Sequence, residues 1–475
     1  MESAGVSGSG TANLAVSNEV SAAALRHSKS VLATLFGPPA QRHFDVRYWD
    51  GTIERGQPPA SGFALVLTRP GALRRMLLPP SELSIVEAYL SGDVDVDGDL
   101  SLAVTIGDTI NAQLRSPLVL ASVMRDLLAL PKSDGHVDDV RRIRADRKVA
   151  PSGRPHQPER DRAAIQYHYD VGNDFYQLWL DERMVYSCAY FESPDMTLDQ
   201  AQEAKLDLVC RKLRLHPGER FLDVGCGWGA LVIHAAKHYD VQAVGITLSD
   251  QQLALGRDRI DAAGLASKCH IELCDYRDIS RLGSFDKAAS VGMVEHVGVD
   301  HLPEYFTSVH GVIRPGGLFL NHGIVSVEAS HPLSIPQQIE RKLWRRDAFI
   351  DQYVFPDGKL GPFHSVVGAA ERSGFETRDV ESLREHYVLT LREWVKRLES
   401  HEEEAIALVG QHTYRVWRLY MTASGYGFAR GSLNVLQTLL SKPRDGDAML
   451  PLTRADLYAK HGTNTASGTF VRSAR

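Results

Sequence analysis

Cysteine is scarce in this chain. Its 475 residues include only Cys188, Cys210, Cys226, Cys269 and Cys274, an odd and scattered set with no CxxC pair. That usage excludes a disulfide framework or zinc site and fits a reducing compartment. No apolar run is long enough to span a bilayer. Positive charge is not in excess either: 53 Lys and Arg stand against 59 Asp and Glu, a formal net charge of −6. No global basic field argues for nucleic acid, and none is expected as a partner. The opening residues, MESAGVSGSGTANLAVSNEVSAAA, have no basic start followed by an apolar core, so no secretory signal is read there. A cytoplasmic protein is expected. The length suits two domains plus tails, and 43% hydrophobic with 24% charged residues is an ordinary soluble composition.

What is present is organised around Arg220–Ile233, RFLDVGCGWGALVI. Phe221, Leu222 and Val224 read as a buried parallel strand, Gly225, Gly227 and Gly229 as a turn, and ALVIHAAKHY as a helix. This is the first unit of a doubly wound α/β sheet, in which ligands sit beyond the carboxyl ends of the strands. Gly225-x-Gly227-x-x-Ala230 also satisfies a loose dinucleotide fingerprint, so the glycines alone leave a nicotinamide cofactor or a plain structural turn open. Two details favour S-adenosylmethionine. The bulky Trp228 lies inside the turn, and the next strand, VQAVGITLS, ends in Thr247-Leu248-Ser249 where a nicotinamide ribose usually finds an acidic residue. Asp223 suits the ammonium of a methionine moiety.

In order, residues 1–27 are small and polar and are expected to be a disordered tail. Residues 28–131 alternate short helices and strands, with a turn at Asp50-Gly51, and form a small α+β domain without a catalytic constellation. Residues 132–162 lose apolar periodicity and form a charged linker. Its basic run Arg141, Arg142, Arg144, Arg147 and Lys148 reads first as a solvated face and second as a rest for anionic lipid headgroups. Residues 163–445 begin with an aromatic segment and the amphipathic helix LDQAQEAKLDLVCRKLRL. Strands alternating with helices then predict a parallel sheet with right-handed crossovers. IPQQIERKLWRRDAFIDQYVFPDG reads equally as a lid touching membrane or acyl chain and as a solvated helix with a narrow core stripe. FHSVVGAAERSGFETRDVESL predicts helix then strand, two long helices are expected from Thr390 to about Leu440, and 446–475 is an extension and tail.

Several separate runs occur together: Tyr167-His168-Tyr169-Asp170-Val171-Gly172-Asn173-Asp174, Tyr186-Ser187-Cys188-Ala189-Tyr190, LDVGCGWGAL, GITLS, SVGMVEHVG, RPGGLFLNHGI and HYVLTLREW. In order and spacing they resemble the cyclopropane-fatty-acyl-phospholipid synthases and their relatives, the mycolic acid cyclopropane synthases, over about Ala163–Leu440. The resemblance implies a Rossmann-like class I methyltransferase domain preceded by a small lipid-binding domain. It implies methyl transfer from S-adenosylmethionine to the cis double bond of an unsaturated phospholipid acyl chain, ring closure to a cyclopropane, and bound bicarbonate as the base. The expected setting is peripheral, at the inner face of the cell membrane. The resemblance also implies a homodimer, for which the sequence itself argues neither way.

Residues matching the family's bicarbonate site are Cys188, Glu295, His322, Ile324 and Tyr387. Those matching its cofactor contacts are Tyr186, Ser187, Asp223, Gly225, Gly227, Gly229, Thr247, Leu248, Ser249, Gln252, Asp275 and Tyr276. Singly, Cys188 reads as a small buried hydrophobe and His322 as a satisfied strand-end histidine. Mycolic acid enzymes usually carry Trp-Glu at Tyr276-Arg277, which favours the phospholipid branch. An alkene is a weak nucleophile and must be aligned with the sulfonium methyl in a dry pocket. The resulting carbocation suits aromatic faces, for which Tyr169, Tyr190, Phe191 and Tyr387 are candidates alongside their ordinary reading as core. Glu295-His296 with His301 fits no standard zinc spacing, so no metal is expected. Cys226 reads as an inert small residue. Two alternatives remain: the same cation losing a different proton to give a 10-methylene chain, and a non-catalytic lipid-binding protein.

Overall fold

The computed structural model describes residues 9–57, 62–132, 160, 171–327, 348–354 and 360–458. By its contacts the chain divides into two units. Among the described residues, the first unit gathers those up to 132 with 348–354 and 409–426, and the second holds the rest. The segmentation expected from sequence gave 348–354 and 409–426 to the methyltransferase domain instead. The basic run 141–148, most of the linker, Tyr167–Asp170 and most of the expected lid segment lie outside the described residues.

The first unit opens with α1 (Ser9–Phe36), a helix running through most of what the sequence suggested was a disordered tail. Its alanines favour helix, and Ala24, Val31, Leu32 and Leu35 are buried, which supplies the packing a polar tail would lack. Strands β1 (Asp45–Arg47), β2 (Ile53–Glu54), β3 (Phe63–Leu67) and β4 (Val94–Gly98) form a sheet in the order β2-β1-β3-β4. The expected turn at Asp50-Gly51 joins β1 to β2, with Gly51 at φ +85°. Helices α2 (Ala72–Leu77) and α3 (Glu82–Leu90) follow β3, and Ser81 caps α3 by accepting from the Ser84 amide. Helix α4 (Pro117–Ala129) packs on α1, where its buried Asp126 meets His27 and Ser30.

In the second unit, α5 (Leu198–Leu213) starts in a capping box of Thr197 and Gln200. Then come β5 (Arg220–Val224), α6 (Ala230–Tyr239), β6 (Gln242–Thr247), α7 (Asp250–Ala262), β7 (Cys269–Leu273) and β8 (Phe285–Val291). The short α8 (Val294–Val297), α9 (Leu302–Val312) and the long strand β9 (Ile313–Ser326) complete the parallel part. The chain continues through α10 (Phe363–Arg372), β10 (Glu376–Ser382), α11 (Arg384–Ser400), α12 (Glu402–Ala429) and β11 (Leu433–Ser441). Helix α12 is broken at Gly410, whose φ of 77° is not helical, and its stretch 409–426 belongs to the first unit.

The seven strands lie in the order β10-β11-β9-β8-β5-β6-β7. The order turns back on either side of β5, so β5 stands at the switch point where such sheets open a crevice. Two expectations are corrected. The sheet is mixed, because β11 runs antiparallel to both β9 and β10. Leu433–Leu440, expected to be helical, is strand: from Val435 on its residues, polar and apolar alike, are buried on both sides, and such a run has no period that separates strand from helix. No described helix is long and apolar enough to cross a membrane.

Candidate functional site

The crevice is built at the carboxyl end of β5. Gly225 and Cys226 donate their amides to the Ile246 carbonyl, which folds the loop tightly over β6. Gly225 sits at φ +84°, and a Cβ there would lie 3.1 Å from the Met293 side chain. Gly229 begins α6 at φ +85°, where a Cβ would lie 2.9 Å from Ile271 Cδ1. Both positions therefore require glycine. Trp228 leaves the turn and donates from its indole to Asn173 Oδ1 at 2.8 Å.

A cavity opens along this loop. Of the expected cofactor residues, Tyr186, Ser187, Asp223, Gly225, Gly227, Thr247, Leu248, Gln252 and Tyr276 line it. The other three are supporting positions. Gly229 starts α6, Ser249 caps α7 by accepting from the Gln252 amide, and Asp275 accepts from the Arg277 amide and pairs with its guanidinium at 3.0 Å. Arg277 also lies over the Tyr276 ring, 4.7 Å from its centroid. Thr247 donates to Gln252 Oε1 at 2.7 Å, fixing the rim of β6.

Asp223 carries the main charge of the crevice. It is 2% exposed, and its Oδ1 is buried without a hydrogen-bond partner. Burial raises its pKa to about 7, against the pull of Lys205. Lys205 is the residue that sequence reasoning missed. It shares the buried stripe of α5 with Leu198, Ala201, Leu208 and Val209, is 2% exposed, lines the cavity and donates to Ser187 Oγ at 3.0 Å. Burial lowers its pKa to about 8, opposed by Asp181, Cys188 and Asp223. A lysine on the apolar face of an amphipathic helix was the available signal.

The strap Met184–Tyr190 is held from both sides. Asp181 accepts from the Val185 and Arg183 amides, and Gln202 donates to the carbonyls of Val185 and Ser187. Thr390 on α11 accepts from the Ala189 amide. A line of rings follows: Trp228 meets Tyr176 at 5.1 Å, Tyr176 meets Tyr186 at 5.6 Å, Tyr186 meets Trp394 at 5.3 Å, and Trp394 meets Tyr387 at 6.0 Å. Of the aromatic candidates, only Tyr387 belongs to this line. Tyr190 stacks on His386 at 4.9 Å, the Phe191 amide donates to His386 Nδ1, and Tyr169 lies outside the described residues.

The other five expected residues are outside the lining of that cavity and are linked to one another through the backbone of β9, β11 and Leu383. Glu295 on α8 accepts from the Ile324 amide through Oε1 at 2.8 Å, so that amide orients the carboxyl. His322 and Ile324 are two residues apart on β9 and share a face. Cys188 Sγ lies 3.6 Å from the Leu383 carbonyl, which also accepts from the Tyr387 amide. Leu383 in turn donates to the Val435 carbonyl, opposite Ile324 in the register. Glu295 Oε2 and His322 Nε2 are both buried without a partner. Burial raises the Glu295 pKa to about 7 and, with Lys205 and Lys212, holds His322 well below its usual value. Burial pushes the Cys188 and Cys226 thiols up, so neither is a thiolate nucleophile.

Among the described residues, no cluster of His, Cys, Asp and Glu is arranged to hold a metal. A neutral imidazole and a carboxyl near its midpoint, both with an unused buried atom, fit a small oxyanion: one donates, and the other donates when protonated. The glycine cradle and the unpartnered Asp223 oxygen fit an ammonium-bearing nucleoside cofactor.

Residues 156–438 match the family described as mycolic acid cyclopropane synthetase. A probable fatty acid methyltransferase of Pseudomonas putida is 40% identical over 429 residues, which is 89% of this chain and 98% of its own. Only 475 − 155 = 320 residues follow position 155, so that similarity necessarily reaches into the first unit. Among solved structures, the cyclopropane synthase MmaA2 of Mycobacterium tuberculosis has a TM-score of 0.55 at 34% identity, covering 59% of this chain and 97% of its own. The mycolic acid cyclopropane synthase CmaA1 complexed with SAH and CTAB has a TM-score of 0.54 at 34% identity, with the same two coverages.

Proposed function

Because the chain belongs to the mycolic acid cyclopropane synthetase family and is an S-adenosylmethionine-dependent methyltransferase, we propose that it builds a cyclopropane on the cis double bond of a fatty acyl chain carried by a phospholipid. The alkene π pair bonds to the sulfonium methyl carbon, and the carbon–sulfur bond breaks with its electrons kept by sulfur. The carbocation left on the other alkene carbon then loses a proton from the new methyl, and that C–H pair closes the ring.

The geometry supports the following residue roles. Asp223 holds the ammonium of the methyl donor, with the Gly225–Gly229 loop, Thr247, Gln252 and Tyr276 around the nucleoside. Lys205 fixes the Ser187 hydroxyl. The rings of Tyr186, Trp394 and Tyr387 exclude water and present π faces to the developing cation. Glu295 and His322, with Cys188 and Tyr387 alongside, would hold bicarbonate, which would supply the base for that proton. The observation that carries this reading is the pair of buried, unpartnered atoms, Glu295 Oε2 and His322 Nε2.

A phospholipid carrier is supported by the first unit, which extends the likeness to the fatty acid methyltransferase beyond the catalytic region. The enzyme then works at a membrane surface. The test is incubation with S-adenosylmethionine and cis-unsaturated phosphatidylethanolamine vesicles, with and without bicarbonate. The acyl chains should gain one CH2 each, and bicarbonate-free buffer should suppress that gain. No gain under either condition would refute the proposal.

A further inference from the structure

Behind His322 lies a chain of side chains that the reaction does not touch. Lys212, near the end of α5, is 2% exposed. Its Nζ pairs with the Glu381 carboxylate of β10 and donates to Gln437 Oε1 at 2.7 Å. Gln437 on β11 is 1% exposed and stands opposite His322 in the β9–β11 register. Its Nε2 lies 3.1 Å from His322 Nδ1.

The donor and acceptor roles along this chain are forced. A lysine ammonium has donors and no acceptor, so the Gln437 amide must turn its oxygen to Lys212. That leaves the amide NH2, again a donor only, facing the imidazole. His322 Nδ1 must then offer its lone pair. A neutral ring with an unprotonated Nδ1 carries its proton on Nε2, the atom that is buried without a partner in the site. An imidazolium would set one N–H against another.

We propose that Lys212 and Gln437 are positioning residues that lock His322 as the Nε2–H tautomer, making it a hydrogen-bond donor to an oxyanion and barring it from acting as the proton acceptor. This rests on the reading of His322 as a site residue. Gln437 fixes the tautomer as the second partner of a functional histidine commonly does, and Glu381 completes the arrangement by pairing with Lys212. Because β10 and β11 bring Glu381 and Gln437, the strands outside the parallel core set the protonation state of the centre.

The test uses the full chain labelled with 15N-histidine, with His322 signals assigned by their loss in His322→Gln. The wild type should show a pyridine-type Nδ1 and a protonated Nε2 at neutral pH. In Gln437→Glu the new carboxylate accepts from the ring, so Nδ1 should be protonated. Product formation in that variant should fall about 10–100-fold, as for other outer partners of a site, with S-adenosylmethionine affinity unchanged by calorimetry. If that variant does not fold, Lys212→Met frees the amide to turn, and both tautomers should appear. A protonated Nδ1 in the wild type overturns the proposal, as does an unchanged ring in either variant. The spectra do not depend on lipid turnover, so their failure is distinct from failure of the proposed reaction.

Discussion

Glu295→Gln should remove activity and yet stabilise the protein above neutral pH. Glu295 Oε2 is buried without a partner, its Oε1 is used by the Ile324 amide at 2.8 Å, and burial raises its pKa from 4.5 to about 7. The folded state therefore binds this proton more tightly than the unfolded state. The stabilisation is fully present below pH 4.5, the unfolded value, and is lost as pH rises through about 7. A shift of this size, at 1.36 kcal/mol per unit, corresponds to about 3 kcal/mol. Glutamine keeps an acceptor for the Ile324 amide and has nothing to ionise. Urea unfolding of both proteins at several pH values, followed by tryptophan fluorescence, isolates the effect as a difference. The two should converge at acid pH, and the variant should lead by up to about 3 kcal/mol above pH 7. A stability difference independent of pH, or a variant weaker at alkaline pH, would refute the assignment of Glu295 as a buried, uncompensated carboxyl.

Other substitutions bear on the crevice. Asp223→Asn should weaken S-adenosylmethionine binding by about 1.5–3 kcal/mol, the usual worth of a hydrogen bond to a charged group, as read by calorimetry. Lys205→Met should raise the cofactor dissociation constant about tenfold by freeing Ser187 and removing the cation beside Asp223, an effect of about 1.4 kcal/mol in the same titration. Gly225→Ala should cost about 1–2 kcal/mol from its φ of +84° alone, visible as a lower melting temperature. Gln202→Leu should cost about 1–3 kcal/mol for the two carbonyls of the strap it leaves unpaired, again by thermal melting.

The parts legible in the sequence were those with local signatures. The strand and glycine turn at Arg220–Gly229, the capped helix at Leu198 and the turn at Asp50-Gly51 each depend on neighbours a few residues apart. What was not legible depended on distant packing. Leu433–Ser441 mixes apolar residues with Asn434, Gln437 and Thr438 in no clear period, and its strand character comes from pairing with β9 and β10, so Gln437 could not be placed behind His322. Lysine is a residue type seldom fully buried; the helical stripe hints at Lys205, and only the fold shows that Lys205 and Lys212 are both enclosed. Trp394 joins the aromatic line from α11, more than 200 residues after Tyr186, and no spacing rule links the two. The first helix takes up much of the segment read as a tail, and it has an apolar partner in α4 that composition cannot reveal.

The most direct measurement follows the transferred carbon itself. The protein is incubated with S-adenosylmethionine carrying a 13C methyl and with cis-unsaturated phospholipid vesicles, and the extracted lipid is examined by 13C and 1H NMR. The label should appear as the CH2 of a cyclopropane ring. Label in an exocyclic methylene would contradict ring closure at this site, and label absent from the lipid would contradict the account as a whole.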